Sequence, residues 1–291
     1  MNYLRLRKKE KQFRAITSLS VTKFDELLPM FEKAYNHFII HYNFDGLARV
    51  RPYSAKIGSP LYETSEKLFF ILYYKKMQPL QEAIAASFDM ETSQANQWIH
   101  SLSPLLEEAL LKYHPKELIE EVQFKEEETY ITDCSEYGVQ RDTYCQKEYY
   151  SGKKKAHTLK NGLIVSLVGI VLWVSPTIPG RIHDKKLMEN VTFSTPIQLL
   201  ADSGFQGWIP KNIILTLPIK KQKNTKKTKY HLSDSAKKYN QELARTRVKV
   251  ENVLAGIKTL RIIKDKNRNY KKTFKNRLFF IASALHNFRI S

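Results

Sequence analysis

A helical region followed by an α/β unit is the fold class this sequence predicts, and three observations carry it. Apolar side chains recur at helical spacing across residues 21–113. Acids gather between residues 105 and 128, and from residue 130 the apolar runs become β-branched and strand-like.

Taken in order, Phe24, Leu27, Leu28, Phe31 and Tyr35 form a first apolar helix face, and Leu68, Phe69, Leu72 and Tyr73 a second. Residues 44–60 carry Gly46, Pro52, Gly58 and Pro60 and read as a loop between them. Residues 80–99 combine a short helix of small residues, a tight turn near residues 88–90 and a second helix with polar exposed positions. That is how a helix-turn-helix reads, with residues 91–100 as the candidate recognition helix and Thr92, Ser93, Gln94, Asn96 and Gln97 as the side chains offered to DNA. An ordinary helical hairpin has the same pattern, and Trp98 reads as core.

The glutamates at 107, 108, 117, 120, 121, 126, 127 and 128 mark a boundary. The expected domains are therefore residues 1–115, an acidic connector over 116–128, and a second domain over 129–291. In that second domain residues 130–133 end an apolar run, residues 162–175 read as two strands around a turn near Gly169, and residues 197–202 as another strand. Helical pattern returns over residues 235–264 and 274–288, which makes this domain α/β or α+β.

Composition narrows the function. The chain has 291 residues, 42% of them apolar, enough for a real core and too many for global disorder. No run reaches the roughly 18 apolar residues that span a bilayer, and the basic N-terminus lacks the pattern of a secretory signal. Cys134 and Cys145 read as reduced thiols, so a cytoplasmic protein is expected, nucleoid-associated when bound. Lys and Arg number 48 against 29 acids, and the excess is strongly placed: from residue 206 onward there are 22 cations and four acids. A field this one-sided attracts a polyanion, and nucleic acid fits better than a membrane because the cations lie within a patterned domain. The Lys-rich residues 220–229 read as a loop that orders on DNA.

Two predicted strands end in aspartate, Asp133 and Asp202. An acid at the carboxyl end of a sheet strand projects into the crevice where ligands bind, although each taken alone is better read as a cap of the next turn or helix. A third acid lies on a helix whose apolar face is Leu243, Val250, Val253, Ile257 and Leu260. There Arg247, Glu251, Leu254 and Lys258 form an adjacent stripe, so that Glu251 either pairs with Arg247 or faces the two aspartates while Arg247 and Lys258 meet phosphate. With no Ser/His/Asp set, no Cys/His zinc spacing and no phosphate-cradling glycine loop, three acids point to an oxygen-ligand site for Mg²⁺ or Mn²⁺. Two such ions about 4 Å apart activate the attacking oxygen and stabilise the leaving one on a phosphodiester.

At these residues the chain resembles the DDE transposases of the bacterial insertion-sequence kind, related to the Harbinger group. Asp133-Cys134-Ser135-Glu136 and the stretch 149–160 (YYSGKKKAHTLK) are similar to that family's first catalytic block. Residues 179–184 (PGRIHD) and 199–207 (LLADSGFQG) resemble the block holding its second acid, and Arg247, Glu251 and Lys258 fit the spacing of its C-terminal signature. Ala244 stands where that signature has Tyr, and Cys134 where the family has Gly. The resemblance implies a ribonuclease H-like catalytic domain with Asp133, Asp202 and Glu251 as catalytic and metal-binding triad, preceded by a smaller all-α helix-turn-helix domain that recognises terminal inverted repeats. It implies two Mg²⁺ or Mn²⁺ ions as cofactor, element ends and target DNA as partners without a membrane, and a homodimer or higher assembly on DNA.

Lys153, Lys154 and Lys155 read as backbone-gripping cations, His183 and Asp184 as a pair orienting the metal ligands, and His157 as a strand residue. The expected activity is metal-dependent cleavage and strand transfer. The alternatives are a catalytically idle DNA-binding relative and a metal-dependent endonuclease that does not join.

Overall fold

The computed structural model describes residues 1–54, 58–141, 146–189, 191–209, 211–221 and 231–291; Cys145 and most of the 220–229 loop lie outside them. In chain order the elements are α1 (Tyr3–Arg7), α2 (Glu10–Thr17), α3 (Val21–His41), α4 (Thr64–Met77), α5 (Gln81–Ser87), α6 (Thr92–Ala109), β1 (Thr129–Gly138), α7 (Gln146–Tyr149), β2 (Tyr150–Ser151), β3 (Ala156–Ser166), β4 (Val171–Val174) and β5 (Ile178–Pro179). They continue with α8 (Asp184–Met188), β6 (Ile197–Leu200), β7 (Ile213–Thr216), α9 (Asp234–Ile257), α10 (Arg261–Lys264) and α11 (Lys272–Ile290). The chain divides into two compact units, Met1–His114 with Ile257–Ser291, and Pro115–Gly256.

The first unit is all helical. α4 is apolar around its whole circumference, with Leu68, Phe69, Phe70, Ile71 and Leu72 fully buried, so it needs neighbours on every side and has them in α2, α3, α6 and α10. Tyr3, Phe13, Phe24 and Phe69 meet ring to ring at centroid distances of 5.3 to 6.4 Å and tie the first three helices to α4.

Residues 257–291, expected with the strand-bearing domain, pack here instead. The physical reason is α11, which is buried almost all round from Leu278 to Phe288 and finds helical faces to cover it only in this unit among the described residues. Three polar ties fix the return: Asn287 Nδ2 donates to Tyr113 O at 3.0 Å, Lys76 Nζ to Thr259 O at 2.7 Å, and Arg277 pairs with Glu107.

α5 and α6 are joined by residues 88–91, with Asp89 at φ 53° and Met90 N donating to Ala85 O at 3.0 Å. Glu91 and Gln94 form a capping box at the start of α6, so the Gln94 side chain is partly engaged by the helix end. Ala95 and Ile99 are buried, Ser93, Gln94 and Gln97 are exposed, and Thr92, Asn96 and Trp98 are half-buried, Trp98 edge-on against Phe44.

The second unit is built on a mixed sheet of order β2-β3-β1-β6-β7, with β4 and β5 added to β3. β3 and β4 form the expected hairpin, and Gly169 takes the left-handed conformation its turn requires, φ 91°. β1 runs antiparallel to β3 and parallel to β6, and β6 runs parallel to β7. Tyr130, Ile164, Trp173, Leu199, Phe205 and Trp208 are among the side chains of its core, which settles Trp208 as a packing residue.

The acid-rich stretch 116–128 is no free connector. Lys116 N donates to Leu172 O at 2.8 Å, Trp173 Nε1 donates to Glu117 O at 3.0 Å, and Ile119 and Val122 are buried in the same core. Its glutamates face out, while Ile119 and Val122 face in.

Candidate functional site

The register of the parallel ladder builds the site. β1 and β6 pair as far as Ile131 against Leu200, and each chain carries an aspartate two residues further on. Side chains alternate with period two, so Asp133 and Asp202 both leave the sheet on the face of that last pair, at the end where β6 stops. Asp133 does not end its strand, as the sequence suggests, because β1 continues to Gly138 paired with β3; it stands where the neighbour on the other side stops.

Asp133 accepts from the N–H of Cys134 at 2.7 Å. Burial pushes its carboxyl up to about 6, the Cys134 N–H and the Arg247 charge pull it down, and Asp202 and Asp184 raise it again. Burial also raises the free Cys134 thiol, reinforced by Asp184 and Asp133. Asp202 caps the single turn that follows β6 by accepting from Gly204 N.

Asp184 joins these two. It heads α8, and its carboxylate accepts from Lys160 Nζ at 2.8 Å; Lys160 is a buried lysine on β3 that also donates to Ile182 O at 2.8 Å. The cap of α8 is His183, whose Nδ1 accepts from Lys185 N at 3.4 Å. His183 is exposed, so its ring serves its own helix and touches no carboxylate in the described structure.

Asp184, Asp202, His183, Lys153 and Lys220 line one cleft of about 530 Å³. Gly204 lies at its centre, where a Cβ would come 2.7 Å from Asp202 Oδ1 and 3.3 Å from Asp184 Oδ2. The absence of a side chain keeps the space between the two carboxylates open. Lys153, Lys154 and Lys155 occupy the exposed turn between β2 and β3, placing one cation at the rim of the cleft and two beside it. His157 lies on β3 with its ring against Tyr150.

The third expected acid is not gathered with the others. Glu251 is exposed on α9, no ion pair joins it to Arg247 among the described residues, and the α9 charge that reaches Asp133 is that of Arg247. One helical turn, about 6 Å along the axis, separates those two positions, which is enough to exchange a cation for an anion at the site. Leu243, Val250, Val253, Ile257 and Leu260 are buried as their spacing predicts. Lys258 follows the end of α9 and belongs to the helical unit.

An all-oxygen, anionic and mutually repelling set with an open centre is chemically suited to a hard divalent cation. Among the described residues no group of three or more His, Cys, Asp or Glu side chains is arranged to hold one. Asp133 and Asp202 offer two carboxylates whose oxygens are of the kind such an ion prefers.

Sequence reasoning missed Lys160 and Gly204. The signal for Lys160 was a lone lysine inside the apolar run of β3, where a buried cation implies a buried anion opposite.

Comparison with known proteins agrees with this geometry. The profile of the DDE superfamily endonucleases matches residues 132–287. A probable transposase for insertion sequence element IS702 from Microchaete diplosiphon is 32% identical over 168 residues, which cover 57% of this chain and 59% of that protein. No solved structure matches the chain significantly. With more than half its length inside the profile, and both aspartates of the parallel ladder within it, the chain belongs to the DDE superfamily endonuclease family.

Proposed function

We propose that this chain is a DNA transposase whose helix-turn-helix, α5 and α6, binds the terminal inverted repeats of its element. The observation that carries the reading is that Asp133 and Asp202 each stand two residues beyond the last pair of the β1–β6 ladder, near enough for Asp202 to raise the Asp133 carboxyl, while Asp202 lines a cleft rimmed by lysines. The unit around them is read as ribonuclease H-like.

In this reading Asp133, Asp202 and Glu251 hold Mg²⁺ or Mn²⁺, with two ions in the complete site. When bound, such ions polarise the scissile phosphate and lower the pKa of the attacking water or 3′-hydroxyl. The chain's own residues do the rest. Lys153, Lys154, Lys155, Arg247 and Lys258 hold the phosphate backbone, and Thr92, Ser93, Gln94, Asn96 and Gln97 meet the end sequence. Lys160 holds Asp184 beside the metal ligands, while Gly204 leaves room for what binds between them. His183 supports the arrangement by starting the helix that carries Asp184.

DNA is the partner, and concerted work on two ends asks for a homodimer or higher assembly. Among the described residues no helix is long and apolar enough to cross a membrane. In this reading the protein meets DNA at the nucleoid.

The test is metal-dependent cleavage and joining of duplexes carrying the element's flanking ends. Cutting and joining by wild type, lost in Asp133→Ala, Asp202→Ala and Glu251→Ala with end binding retained, is the expected result. Cutting without joining would make the protein an endonuclease that does not transfer strands. Binding without cutting under either ion would make it an idle DNA-binding relative.

A further inference from the structure

The C-terminal return of the chain brings a dense run of cations to the helical unit. Between residues 261 and 272 stand Arg261, Lys264, Lys266, Arg268, Lys271 and Lys272 against a single acid, Asp265, and Arg261 takes that acid at 2.6 Å. The other five are exposed, and none has a carboxylate within ion-pair distance among the described residues.

The segment is folded, not a solvated tail. Gln78 Nε2 donates to Lys266 O at 3.0 Å, and Arg268 donates back to Gln78 O. Buried Asn267 accepts from Asn269 N, and Asn269 accepts from Lys271 N, both at 2.9 Å. Asn269 also reaches His100 on α6 at 3.5 Å.

What this loop borders is the second observation. Together with the end of α4, the start of α5 and the middle of α6 it encloses a cleft of about 400 Å³. Arg268, Tyr270 and Lys271 line one side, and Gln81 and Asn96 the other. Burial first, then the charges of Lys271 and Lys75, hold the His100 imidazole of this cleft down to about 4, so it is neutral at ordinary pH. Asn96 sits on the helix whose Ser93, Gln94 and Gln97 are exposed, so one cleft joins that helix to a pinned row of uncompensated cations.

We infer that residues 264–272 form a phosphate-backbone clamp for duplex DNA, alongside α6 and contributed by the C-terminal segment. Lys266, Lys271 and Lys272 contact phosphodiesters on the strand flanking the groove that α6 enters; Arg268 and Tyr270 donate from the cleft wall. The contacts are sequence-independent and fix the register of α6 on the duplex. The inference rests on the reading of α5 and α6 as a DNA-binding pair.

The experiment uses the full chain and two duplexes of equal length, one carrying an element end and one unrelated, over a range of salt. The variant is Lys266→Ala/Lys271→Ala/Lys272→Ala, whose side chains make no ion pair or hydrogen bond among the described residues. The control is Lys8→Ala/Lys9→Ala/Lys11→Ala, which removes the same charge from an exposed site in the same unit. Each lost phosphate contact lowers the slope of log affinity against log salt by about 0.9. The loop variant is therefore expected to lose two to three units of slope, roughly, and about tenfold or more in affinity at moderate salt, equally for both duplexes. The control keeps the wild-type slope.

Wild-type affinity and slope in a folded loop variant would overturn the clamp and leave the transposase reading untouched, as would an equal loss in the control or a loss confined to the end duplex. Equal wild-type affinity for the two duplexes, with the loop variant weakened on both, would remove end recognition and leave the clamp. No binding of either duplex by wild type would overturn both.

Discussion

The two units bury charge in opposite ways. In the helical unit a buried cation is either satisfied or isolated. Lys67 donates to the carbonyls of Leu61 at 2.6 Å and Tyr62 at 2.8 Å and lies over the rings of Tyr35 and Trp98. Lys75 is fully buried, has no hydrogen-bond partner and sits 4.1 Å above Phe274. In the sheet unit three acids converge instead, and the nearby cations go to different members: Lys160 to Asp184, Arg247 towards Asp133. In the first case Lys67 ties α4 to the preceding loop and to rings on α3 and α6, whereas Lys75 is buried at a cost. Charge in the second is left short of its counterion, which costs folding energy and, in the proposed function, is offset by a bound metal ion.

The comparison is broken most directly by removing the acids. Asp133→Ala and Asp202→Ala are expected to lose cleavage by about a thousandfold or more, because several kcal/mol of transition-state stabilisation come through them. Neither is expected to lower thermal stability, since each removes a repulsion. A large drop in Tm would make them structural caps and the contrast false.

Lys160→Met is the next largest. It strands Asp184 beside two other carboxylates and is expected to cost about 3 kcal/mol in denaturant unfolding. Lys160→Met/Asp184→Asn should recover most of that stability, and a double variant as unstable as the single would show that the pair does not act as one.

Within the helical unit Lys67→Met keeps the packing volume but leaves two carbonyls without a donor, an expected loss of about 2 kcal/mol. Urea midpoints measure it. No loss would mean that water replaces the ammonium.

The last effect is one of pH, and it is the smallest over any single pH unit. Burial lowers Lys75 to about 7 against an ordinary 10.5. Between those values the unfolded chain binds the proton that the folded chain has released, so stability climbs with pH across this window, by up to about 1.4 kcal/mol per unit. Below pH 7 both states are protonated and the penalty of the buried charge is fully present. Lys75→Met is expected to flatten the climb and to stabilise the protein at neutral pH; parallel curves for variant and wild type would mean the ammonium is solvated.

Asp202 was legible in the sequence because it closes an aliphatic run where its strand stops; Asp133 was legible as the acid after Tyr130, Ile131 and Thr132, although its own strand runs on to Gly138. The apolar face of α9 was legible from its period of 3.6, and all five of its predicted residues are buried. Partnership across the chain was not legible. Nothing local to Lys160 points to Asp184, 24 residues on, and nothing local to α11 says which unit will cover it. The stretch 116–128 misled because charge density hides sparse apolar residues; Ile119, Val122 and Phe124 pack it onto the core. For Glu251, helical spacing assigns a place beside the apolar face of α9, where it is exposed, and nothing local in the sequence says what it meets.

The most direct test of the central claim, that Asp133 and Asp202 together hold a divalent ion, is a Mn²⁺ titration of wild type, Asp133→Asn and Asp202→Asn, read by calorimetry and by Tm. The account predicts saturable binding that raises the wild-type Tm and is lost in both variants, each of which folds as well as wild type without metal. Equal Mn²⁺ binding in wild type and both variants would contradict it.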